Sequence, residues 1–73
     1  MDDGEYGVLK SKFLKIYAGL ATPLRDEIIA VVGDETFNWT SAKAEFMYDS
    51  DPEHKKNAIL ILKQLLEIGV LGE

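Results

Sequence analysis

Asp49, Asp51 and Glu53 alternate along one short stretch with His54 directly behind them, the densest set of metal-ligand and proton-carrying side chains in the chain. Alternating carboxylates open a calcium loop, but such a loop also needs glycine at its sixth position and a bidentate glutamate at its twelfth. Those positions hold His54 and Leu60, so the acids read as a capping cluster. His54 is the single histidine and cysteine is absent. A zinc site would then depend on carboxylates that this spacing does not gather. As a general base, His54 would need a nucleophile delivered by the fold from Ser11, Thr22, Thr36, Thr40, Ser41 or Ser50. None of these sits in the glycine context of a nucleophile elbow. The six glycines are scattered singly, so no phosphate-cradling loop exists. Asn38-Trp39-Thr40 matches a glycosylation acceptor, yet all three residues have a structural reading at a helix start. These residues predict a protein that is not an enzyme, with no catalytic residue, no metal and no cofactor.

Binding residues remain. Lys10, Lys12 and Lys15 cluster on one helical segment, where lysines opposite a buried face ordinarily solvate it. Leu60 is the unusual position: it falls at the centre of a polar arc between Lys56, Lys63 and Glu67. We take Leu60, with Lys56 and Lys63, as the candidate contact for a protein partner or for self-association. Thirteen acids against eight lysines and arginines leave a net charge of −5, which disfavours nucleic acid and anionic lipid. No apolar run exceeds five residues, against roughly 20 for a membrane span. The acidic start lacks the positive charge of an export signal, and the expected location is cytoplasmic.

The elements that carry these residues follow from periodicity. A chain of 73 residues supports one core, with roughly 3–5 kcal/mol of net stability. Residues 1–5 form an acidic tail expected to be flexible, and residues 6–73 a single helical domain. Tyr6, Leu9, Phe13, Ile16, Tyr17 and Leu20 line one face of a first helix ending near Ala18 or Gly19. Thr22-Pro23 starts a second, with Leu24, Ile28, Val31 and Val32 inward and Gly33 as its stop. An alternative stays open for residues 28–39: the β-branched run could pair with Glu35 to Trp39 as a hairpin turning at Gly33-Asp34. A third helix spans about Thr40 to Tyr48, with Trp39, Ala42 and Phe46 on its buried side. The last is the clearest. It begins at Ser50 or at Asp51-Pro52, buries a broad face of Ala58, Ile59, Ile61, Leu62, Leu65, Leu66 and Ile68, and ends at Gly69 in a left-handed cap with Val70 and Leu71 folding back. The expected fold is an all-α domain of four helices packed on the C-terminal one, with one rudimentary strand near 36–39.

The order of helix, short strand, helix and longer helix, closed by Leu62-x-x-Leu65-x-x-x-Gly69-Val70-Leu71, resembles the body of winged-helix DNA-binding domains, from Pro23 to Leu71 and without the wing. The resemblance implies a helix-turn-helix nucleic-acid binder as the alternative function. In that family the exposed start of the recognition helix reads the groove, which here implies Lys55, Lys56 and Asn57.

Overall fold

The computed structural model describes residues 1–72 as α1 (Asp3–Gly19), a 3₁₀ turn (Thr22–Asp26), β1 (Ile28–Val32), β2 (Glu35–Asn38), α2 (Trp39–Met47) and α3 (Pro52–Glu67). Glu73, the last residue of the expected 6–73 domain, lies outside the described residues. Three α-helices and a two-stranded antiparallel sheet make this a small α+β domain. The expected all-α domain of four helices is overturned.

The correction falls on one segment. Thr22 and Pro23 do start a helical turn, but it ends at Asp26. Beyond it, Ile28, Ile29, Val31 and Val32 are all β-branched, lose side-chain freedom in a helix and pack well on a pleated surface. Gly33 has φ 61°, and among the described residues no other residue type has positive φ. Gly33-Asp34 thus has the form of a II′ hairpin turn with glycine first, a turn whose twist matches that of the strands. The broken alternation that suggests a helix has its own cause. Val32 faces Glu35, Val31 faces Thr36 and Ala30 faces Phe37, but Ile28 faces Asn38, so the register slips between Ile28 and Ala30. One unpaired residue there throws the apolar positions out of period two. The strand expected near 36–39 is β2, a full partner of β1.

Aromatic packing forms the centre of the core. Phe13 of α1 meets Trp39 at 5.2 Å and Phe46 at 4.6 Å between ring centres, and both partners are buried on α2. Ala58, Ile61, Leu62 and Leu65 of α3 close it from below, and Ala30 and Phe37 bring in the hairpin. α2 starts at a capping box in which Asn38 accepts from the Ser41 amide while the Ser41 hydroxyl accepts from that of Asn38. α3 starts at Asp51, with Pro52 in its first turn. It ends in a Schellman motif: Val70 N–H donates to the Leu65 carbonyl and Gly69 N–H to that of Leu66, with Gly69 at φ 80° and Leu71 buried. α1 is capped by Asp2, whose carboxylate accepts from the Glu5 amide. Among the described residues no helix is long and apolar enough to cross a membrane.

Candidate interaction surface

α3 buries Ala58, Ile61, Leu62 and Leu65, so the residues about 130° around the helix from that stripe must face outward. Pro52, Lys55, Lys56, Ile59 and Leu60 occupy this position and line an open groove of about 380 Å³. Its lining is aliphatic, with the Lys55 and Lys56 side chains contributing beside Pro52 and Ile59, and Leu60 is half-buried in it. Exposed Lys63, one turn beyond Ile59 and Leu60, extends the same row. Of the contact residues read from sequence, Leu60 and Lys56 are brought together and Lys63 stands in line with them. Pro52, Ile59 and Lys55 were missed as companions. Their i, i+3, i+4, i+7, i+8 spacing was the available signal, obscured because Ile59 also packs on the core.

The start of α3 is held rigidly on both sides. Asp49, in the turn before it, accepts from the Tyr6 hydroxyl and from Lys10 Nζ, each at 2.7 Å, tying the turn to α1. Lys10, followed by the Tyr6 hydroxyl, holds the Asp49 carboxyl below its usual range. Burial, aided by Asp49, pushes the Tyr6 phenol well above its ordinary value. Lys55 Nζ sits 5.1 Å from the centre of the Tyr6 ring and 3.5 Å from Asp3. On the other side Glu45 of α2 accepts from Asn57 Nδ2 at 2.9 Å and meets His54 Nδ1 at 3.0 Å. That contact raises the His54 pKa above its ordinary 6.5.

These bonds also place the chemistry-bearing residues. Asp49 turns to α1, Asp51 caps α3 by accepting from the His54 amide, and His54 turns to Glu45. Among the described residues no three metal-ligating side chains converge. Of the positions implied for nucleic acid, Asn57 is turned to Glu45 and Lys55 to Tyr6 and Asp3, while Lys56 projects freely into solvent at the groove. Of the other basic residues, Lys10 stands beside Lys55 through Asp49 and Tyr6, while Arg25 and Lys43 are apart from them. Arg25 and Lys43 lie 4.2 and 4.8 Å from the centre of the Tyr17 ring, three turns or about 16 Å along α1 from Tyr6. Comparison of the chain with protein-family models, with curated proteins and with solved structures gives no match.

Proposed function

We propose that the protein is a small, non-enzymatic, cytoplasmic interaction module that binds a protein through the outer face of α3. The observation that carries this reading is the groove that Pro52, Ile59 and Leu60 line together with Lys55 and Lys56. An aliphatic lining supplies apolar area to bury, and exposed Lys56 sets orientation and selects partners of opposite sign. Lys63 continues the row. The anchoring of the α3 start by Asp49 and Glu45 supports the same reading, because a contact surface on a fixed helix loses little freedom on binding. Fully burying a leucine contributes about 1.5–3 kcal/mol, at its upper end a change of about a hundredfold in Kd.

The experiment is size-exclusion of a gentle extract of the source cells. The wild-type chain should elute well above its 8.2 kDa, and Leu60→Lys should elute as the free chain with an unchanged helical circular dichroism spectrum. Wild type eluting as the free chain contradicts the proposal.

A further inference from the structure

We infer that the outer face of α1 is a separate contact surface, on which two copies of this chain pair as antiparallel helices about a two-fold axis. The inference goes beyond the α3 reading and does not depend on it. α1 turns Tyr6, Leu9 and Phe13 inward. On its opposite side Asp3, Gly7, Val8, Ser11, Lys12 and Lys15 border an open hollow, and Val8, 57% exposed, stands near its middle. Charge on this helix is divided along its length. Asp2, Asp3 and Glu5 lie at the start, and Lys10, Lys12 and Lys15 follow with no acid among them. The helix dipole does not account for the lysines, because it acts on the last turn and that turn holds no basic residue. Lys10 turns to Asp49, while Lys12 and Lys15 stand at the hollow.

A face acidic at one end and basic at the other repels a parallel copy of itself and matches an antiparallel one. An axis crossing α1 at the height of Leu9 sets Asp3 of each copy opposite Lys15 of the other, six residues or about 9 Å to either side. Glu5 then comes opposite Lys12 and Gly7 opposite Ser11, and the two Val8 side chains meet beside the axis. Asp3 can take part because its side chain is 99% exposed and only its Oδ1 meets Lys55, at 3.5 Å in a weak surface pair. Gly7 fits the same contact. Glycine inside a helix is less stable than alanine, yet a methyl group there would meet no neighbouring element within 4 Å. Its omission instead lets a second backbone come close. One helix face about 18 Å long and 10 Å wide offers far less than the roughly 800 Å² per partner of a stable interface. The pair is therefore weak, with Kd of roughly 0.1–1 mM.

Dilution of the isotope-labelled chain from about 1 mM to about 10 µM, followed by NMR and by sedimentation, tests this. The amides of Gly7, Val8 and Ser11 should shift with concentration as sedimentation falls to that of a monomer, while those of Lys56 and Leu60 stay fixed. Asp3→Lys and Lys15→Glu each set like charges face to face in a homodimer and should weaken association about tenfold, with unchanged circular dichroism. Mixed in equal amounts, the two variants should associate as wild type does. One pair is then native Asp3 with native Lys15, and the other joins the two introduced charges. Should either variant fail to fold, Val8→Asp, which sets two carboxylates beside the axis, weakens the dimer in its place. Leu60→Lys should dimerise like wild type, and at the dilution of an extract this contact is open, so the α3 reading and this one fail separately. No concentration dependence up to about 1 mM, shifts confined to α3, or a mixture that associates no better than either variant alone overturns the inference and leaves the α3 reading standing.

Discussion

Single residues set both the stability of the domain and its response to pH. Trp39 is 8% exposed and packs against Phe13. Trp39→Ala should cost about 3–5 kcal/mol, comparable to the whole stability of so small a domain. Urea titration followed by circular dichroism should find the variant largely unfolded before denaturant is added. Two titrating groups bound the pH range of stability. The Asp49 carboxyl is held below its ordinary 3.8, so its contribution is present above that value and is lost as pH falls through the lowered folded pKa. His54 is raised above its ordinary 6.5, so its contribution is complete below 6.5 and is lost as pH rises through the raised folded pKa. Stability should therefore decline on both sides of a mildly acidic maximum. Glu45→Gln should flatten the upper limb and Asp49→Asn the lower, as read by melting temperature against pH.

The hairpin depends on two groups outside its own pairing. Gly33 provides the positive φ of the turn, a conformation that costs other residues roughly 1–2 kcal/mol, and Gly33→Ala should lose about that much. Gln64 of α3 covers the outer edge of β1: its amide oxygen accepts from the Val31 N–H at 3.0 Å and its amide nitrogen donates to the Val31 carbonyl. A glutamine side chain thus stands where a third strand would pair. Gln64→Ala should cost about 1 kcal/mol and speed hydrogen exchange at the Val31 amide, measurable by NMR. This segment is also where sequence reading was least informative. The caps of α2 and α3 were legible because each depends on near neighbours: Asn38 with Ser41, Asp51 with Pro52, Gly69 with Leu65 and Leu66. The Asp2 cap of α1 was not read, and Ile68, expected on the buried face of α3, is exposed. The hairpin was legible only as the alternative. Its bulge mimics helical spacing, and the Gln64 bonds that hold its edge span a separation of 33 residues. The contact surface was half legible. Leu60 stood out among polar neighbours, but the groove it lines depends on how far Ile59 turns from the core.

At the scale of the whole molecule, a chain of net charge −5 carries its lysines in separate places, with Lys10 and Lys55 near Tyr6 and Lys43 near Tyr17. No broad basic face forms from these, and duplex DNA added at low salt should leave the amide shifts of Lys55, Lys56 and Asn57 unmoved, since few phosphates could be neutralised at once. Lys56 and Lys63 stand exposed along the α3 groove beside its aliphatic lining. A photo-activated cross-linking side chain in place of Leu60, illuminated in an extract of the source cells, reports most directly whether that groove is occupied. The expected result is a discrete covalent product, either with a second copy of the chain or with one other protein, in far higher yield than from the same group at exposed Thr36 on the hairpin. No product from position 60, or equal yields from both positions, would contradict a role for α3 as the binding surface.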